Sequence, residues 1–226
     1  MPTQDQSLTG TARPAADDRG GVLRAAGVMA AGGVVFMIPV VGFPGIHANF
    51  EEDPAARLAG LEAHWTNYLV GSVLLSLGWL LMGIGLFMLC RRLGELETGR
   101  SAKLLGVAGA ALLVSFLVLA VIYLVPEAWA MTPAEWSALA DEPQATFQSV
   151  LMVAGIVVIL LGWATVSTIV ARSQHWPTWL GVVFGLCGLA TIVTQLPLFA
   201  AIGAIVLGTN VWRRSRRRDA TTAVPA

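Results

Sequence analysis

Long apolar tracts dominate this chain, and the charges between them sort onto two sides. The tracts are Ala25–Phe43, Trp65–Cys90, Leu104–Val125, Phe147–Ala171 and Trp179–Trp212. Threaded back and forth through them, 13 of the 14 Lys and Arg residues fall on one side. The other side keeps Arg57 and eight acids, so a formal net charge of zero conceals about +7 on one face and −7 on the other. Such segregation marks a polytopic membrane protein, whose short basic loops stay in the cytoplasm. Composition agrees, because only 12% of the 226 residues are charged where a soluble domain carries about a quarter. At a mean hydropathy of +0.71, lipid must be the solvent for most side chains.

A spanning helix needs about 20 apolar residues, with roughly 17 as the lower limit. The first four tracts each supply one span, over about 25–43, 65–90, 104–125 and 147–171. The fifth is too long for a single crossing at about 1.5 Å per residue. Its middle reads Thr194-Gln195-Leu196-Pro197, and proline disfavours helix at the residue before it. Two short spans, 179–194 and 196–212, are therefore expected. The charges require the same split: one fused helix would put Arg213, Arg214, Arg216, Arg217 and Arg218 outside, whereas two return them to the cytoplasm. The fold class predicted is an all-α bundle of six spans with both termini cytoplasmic.

The polar segment 1–21 reads as a disordered cytoplasmic tail, residues 22–212 as the membrane domain, and 213–226 as a basic cytoplasmic tail. Ile46-His47-Ala48 would suit a signal peptidase, but the 19 apolar residues before it exceed a signal core, so the first tract reads as a retained span. Both outer connections carry helix-start chemistry. Thr132-Pro133-Ala134-Glu135 supplies a capping hydroxyl, proline at the first helical position and a carboxylate three residues past the cap. A short interfacial helix follows, with Trp129, Trp136 and Leu139 toward lipid and Glu135 and Asp141 toward water. Asp53-Pro54-Ala55 offers a similar start. Leu77-Gly78-Trp79 and Leu161-Gly162-Trp163 recur inside the second spans of the first two hairpins, which suggests a duplicated hairpin. Six of the eight tryptophans (Trp65, Trp129, Trp136, Trp176, Trp179 and Trp212) fall at the expected interfaces as an aromatic belt.

Chemistry is sparse. No span carries an ionisable residue near its middle, which argues against a carboxylate-driven pump. Ser72, Ser76, Ser115, Thr165, Ser167, Thr168, Thr191 and Thr209 are expected to bond to their own helix or a neighbour. His47 and His64 flank an acidic outer stretch and could hold zinc or copper, but 17 residues separate them without a tight ligand spacing. No metal, cofactor-binding or catalytic residue is therefore assigned. His175 reads as a loop residue, and Cys90 and Cys187 are not placed for a disulfide. Small residues four apart (Gly27/Ala31, Gly106/Ala110, Gly181/Gly185 and Ala200/Ala204) are expected to pack helices within the chain.

Arg172 followed by Pro177-x-Trp179-Leu180-Gly181, the Leu196-Pro197 pair, the Asp53-Pro54 loop and the Phe147-Gln148 entry together resemble a bacterial family of six-helix integral membrane proteins, classed as a domain of unknown function. The resemblance implies the six-helix fold over about 22–212 and brings no catalytic residues. A non-enzymatic accessory or interaction subunit of the bacterial inner membrane is the function expected. A small-solute transporter or channel stands second, motivated by the broken region around Gln195, and a metal-dependent membrane enzyme using His47 and His64 third. The expected partners are the lipid bilayer and another membrane protein or a second copy of the chain. Nucleic acid is not expected, because the C-terminal arginines serve as a topological anchor.

Overall fold

A computed structural model describes residues 17–129, 131–139, 143–173, 176–194, 199–207, 209–210 and 213. The fold is all-helical, with no strand among the described residues. Its helices are α1 (Asp17–Gly42), α2 (Pro44–Ala48), α3 (Pro54–Leu96), α4 (Arg100–Ala128), α5 (Pro133–Leu139), α6 (Pro143–Arg172) and α7 (Thr178–Thr194). A further helical run covers 199–207. Four stretches are long and apolar enough to cross a membrane: Gly21–Gly42, Pro54–Glu95, Arg100–Val125 and Val153–Arg172. Helix α7 is apolar but has only 17 residues. That is about 25 Å of helix against a hydrocarbon core of about 30 Å. The sixth expected span, 196–212, is described only in part. Gln195, Pro197, His175, Asp141 and the arginines after Arg213 lie outside the described residues, as do both tails apart from their inner edges.

The expected boundaries shift most at the second span. A start at Trp65 is predicted, yet α3 begins at Pro54 and runs 43 residues, about 64 Å and twice the hydrocarbon thickness. The Asp53 side chain caps it by accepting the Ala55 N–H at 3.1 Å. His64 then interrupts the helix with φ −132° and ψ 26°. Hydropathy changes at Trp65, but residues 55–63 are good helix formers apart from Gly60, so the chain bends there instead of ending. Asn67 and Gly45 fix the bend against α2. The Gly45 N–H donates to Asn67 Oδ1 at 3.2 Å. A Cβ on Gly45 would lie 2.7 Å from the His64 carbonyl oxygen.

Close approach of backbones holds α1 to α3. A Cβ at Gly32, Gly78 or Gly85 would come within 2.9 Å of the partner's backbone. Lipid tails are as apolar as leucine, so dispersion from this fit, not the hydrophobic effect, drives the association. Only two of the four expected small pairs pack inside the chain. Gly181 and Gly185 press on Ala171 and Ser167 of α6, and Ala200 and Ala204 are buried. Gly27, Ala31, Gly106 and Ala110 are exposed instead, with nothing within 4 Å of a Cβ at Gly27 or Gly106. On an all-apolar helix, small-residue spacing alone does not tell the packed face from the lipid face.

The helices follow one another in space as in sequence, α3 on α1, α4 on α3, α6 on α4 and α7 on α6. Serine hydroxyls reinforce two seams: Ser76 Oγ donates to the Ala120 carbonyl at 2.7 Å, and Ser167 Oγ to the Gly181 carbonyl at 2.6 Å. Ser115, Thr165, Thr191 and Thr209 bond back to carbonyls of their own helix, as the sequence reading expects. Thr168 is exposed and makes no such bond, and the buried Ser72 hydroxyl has no partner among the described residues. At Gly99, φ of +62° turns α3 into α4, a conformation that glycine alone adopts freely.

Candidate functional site

Helices α1, α3, α4, α6 and α7 border a partly open cavity of about 260 Å³. Each contributes one face at helical spacing: Phe36 and Val40 from α1, Leu75, Trp79 and Met82 from α3, Phe116, Leu119 and Tyr123 from α4. Opposite them stand Ile156, Ile159 and Trp163 of α6 and Gly188, Thr191 and Ile192 of α7. Ile46 of α2 and Phe50 line it beyond α1, and Ala200 adds to the wall from the run 199–207. No charged residue among the described residues lines it.

Aromatic rings give this wall its character. Phe36 meets Trp79 edge-on at 4.8 Å, and Trp79 tilts against Phe116 at 5.3 Å. Trp163 stacks on Phe184 at 4.8 Å and donates its indole N–H to the Phe184 carbonyl at 2.7 Å. That geometry needs Gly188, since a Cβ there would collide with the Trp163 indole. The two Leu-Gly-Trp marks therefore play one part twice. In each, the glycine lets the preceding span approach, Gly78 against Phe36 and Gly162 against Leu112. In each, the tryptophan meets a phenylalanine of the following span, Phe116 or Phe184.

The polar groups of this region sit mostly on one stripe of α3. Tyr68, Ser72 and Trp79 share a face, and the Tyr68 hydroxyl, Ser72 Oγ and Trp79 Nε1 have no hydrogen-bond partner among the described residues. A buried donor left unmade costs about 1–3 kcal/mol. Of the three, Trp79 reaches the cavity. Its indole N–H neighbours the Tyr123 side chain on the same wall without closing a hydrogen bond. Thr191, also on the wall, has its hydroxyl turned back to the Cys187 carbonyl at 2.8 Å.

Helices α2 and α5 both pack against α3. The capping box of α5 forms as the sequence predicts: the Thr132 N–H and hydroxyl donate to Glu135 Oε2 at 2.7 and 2.9 Å, and the Glu135 N–H returns to Thr132 Oγ1 at 3.3 Å. The backbone N–H and then the hydroxyl of Thr132 hold the Glu135 carboxyl below its usual range. Trp136 departs from its expected lipid-facing place. Its indole donates to Asn49 Oδ1 at 2.9 Å and its ring lies 6.2 Å from Tyr68. Asn49 and Tyr68 recruit it because a buried indole N–H needs an acceptor. Trp129, by contrast, is 69% exposed.

The other sequence candidates are not brought together. His47 and His64 are both exposed, and no group of three His, Cys, Asp or Glu able to hold a metal occurs among the described residues. Cys90 is buried, Cys187 half-buried, and both are free thiols. The cavity-lining Trp79 and Trp163 escape sequence reasoning except for one signal: they are the two tryptophans that no membrane interface accounts for. No family model, curated protein or solved structure matches the chain.

Proposed function

We propose that this chain is a non-enzymatic accessory protein of the bacterial plasma membrane that holds an apolar guest drawn from the lipid phase. The cavity carries the reading: it is about 260 Å³, and among the described residues its wall is uncharged and mainly aliphatic, with six aromatic side chains. That exceeds the roughly 150 Å³ that accommodates benzene in an engineered core, and falls just below the range of drug-sized sites. A polar solute would lose about 2–7 kcal/mol for each group desolvated without a partner, which argues against small-solute transport through it. The proposal includes six spans with both termini in the cytoplasm. The charge bias supports it, as does the resemblance of Pro177-x-Trp179-Leu180-Gly181 to the six-helix family.

Two measurements test the proposal. Purification in mild detergent, followed by solvent extraction and mass spectrometry, should yield one apolar small molecule per chain. Protein free of any stoichiometric guest, and unable to take one up, would refute the holding role. For topology, Glu52→Cys should react with a membrane-impermeant thiol reagent on intact cells, and Thr98→Cys only after lysis, both in a Cys90→Ala, Cys187→Ala background. The reverse pattern would overturn the orientation.

A further inference from the structure

Resting on that reading, we infer that the guest is a quinone: a flat, neutral ring bearing carbonyl oxygens on an apolar tail, seated against Trp79, Phe116 and Tyr123. Volume is the first ground. A cavity of about 260 Å³ is large enough to take a one- or two-ring head. Ring chemistry is the second. Phe36, Trp79 and Phe116 form a continuous aromatic wall with centroid spacings of 4.8 and 5.3 Å. Stacking rewards a planar guest by about 0.5–1.5 kcal/mol per ring pair beyond its buried area. A saturated acyl chain gains no such term.

Hydrogen bonding is the third ground, and it separates a quinone from a plain hydrocarbon. Trp79 Nε1 is shielded from solvent and has no partner among the described residues, and it sits beside the Tyr123 hydroxyl. Both groups can donate. A carbonyl oxygen placed between them accepts from the indole N–H and from the phenol together. No charged residue among the described residues lines the cavity, which favours a neutral head on the guest. A phospholipid or fatty acid head would be left without a counter-charge.

The test uses two probes on the full-length protein in lipid nanodiscs, with calorimetric binding isotherms corrected against empty nanodiscs. Duroquinone is a tetramethylated quinone with no free ring position for Cys90 or Cys187 to attack. Durene is the same methylated ring without oxygens. Duroquinone should bind saturably and roughly fivefold or more tighter than durene, the worth of about one neutral hydrogen bond. Trp79→Phe keeps the ring and removes the donor, so it should close that gap while leaving durene unchanged. Ile156→Trp, which fills the cavity from α6, should abolish binding of both. Equal affinities for the two probes would overturn the quinone while leaving the apolar-guest reading standing. A gap that persists in Trp79→Phe would overturn the assigned donor. Binding of neither probe by a protein that retains its helical circular dichroism would overturn both the quinone and the guest-holding reading.

Discussion

Replacing Gly188 with alanine tests how tightly α7 is keyed to α6. The added methyl would run into the Trp163 indole, which cannot simply swing aside. Its N–H is bonded to the Phe184 carbonyl at 2.7 Å and its ring is stacked on Phe184 at 4.8 Å. Losing the hydrogen bond costs about 1 kcal/mol and losing the stack about 0.5–1.5 kcal/mol. Keeping both means overpacking strain of about 1–3 kcal/mol. These are alternatives, so about 1–3 kcal/mol is at stake. Alanine returns up to about 1 kcal/mol of helix propensity, which leaves a net loss of about 1–2 kcal/mol. Equilibrium unfolding in mixed dodecyl maltoside and SDS micelles, followed by far-UV circular dichroism, measures it. Trp163→Ala removes the obstructing ring, so Gly188→Ala should cost little in that background, with a coupling of about 1–2 kcal/mol between the sites. A single variant within about 0.5 kcal/mol of wild type, or losses that simply add, would refute the steric account.

The exposed glycines should behave in the opposite way. Gly27→Ala and Gly106→Ala meet nothing within 4 Å, so the same unfolding assay should find each neutral or stabilising by up to about 1 kcal/mol. Gly99→Ala forces a side chain into φ +62° and should cost about 1–2 kcal/mol, with Gly99→Asn milder; equal stability of all three would remove the turn constraint. Ser76→Ala deletes the bond to the Ala120 carbonyl and should cost about 0.6 kcal/mol, the usual worth of such a bond within a bilayer. At Glu135 the folded carboxyl titrates below its unfolded value, so the α5 cap is fully stabilised above the ordinary carboxylate pKa and weakens as pH falls through the depressed one. Hydrogen exchange of the α5 amides should therefore show added loss of protection at acidic pH in the native protein. Glu135→Gln should flatten that response, and an identical profile in both would dismiss the carboxylate.

The helices and the caps were legible because their causes are local. Asp53-Pro54 and Thr132-Pro133-Ala134-Glu135 state in a few residues which backbone donors they will satisfy, and both caps form. The kink at His64 was not legible, since it depends on Gly45 and Asn67 meeting from elements 22 residues apart. Nor was the cavity. Leu75, Trp79 and Met82 share a helical face, but in a span every face is apolar, and periodicity carries no signal when lipid and protein interior are equally greasy. Trp136 shows the same limit: its sequence position suits the aromatic belt, and the Asn49 side-chain Oδ1, 87 residues away, turns it inward. Gly27 and Gly181 have the same small-residue spacing, and nothing in one dimension tells which of them meets a neighbour.

Because each long helix rests chiefly on the one synthesised just before it, the molecule can be built in the order in which it leaves the ribosome. Every new helix finds its docking surface already in the bilayer, and no early segment waits, half-satisfied, for a late one. The cavity breaks that pattern, since its wall joins Phe36 of α1 to Thr191 of α7. Nascent chains halted before α7 would already be inserted and paired yet have nowhere to keep a guest. On the guest-holding proposal, only the completed chain could retain a guest.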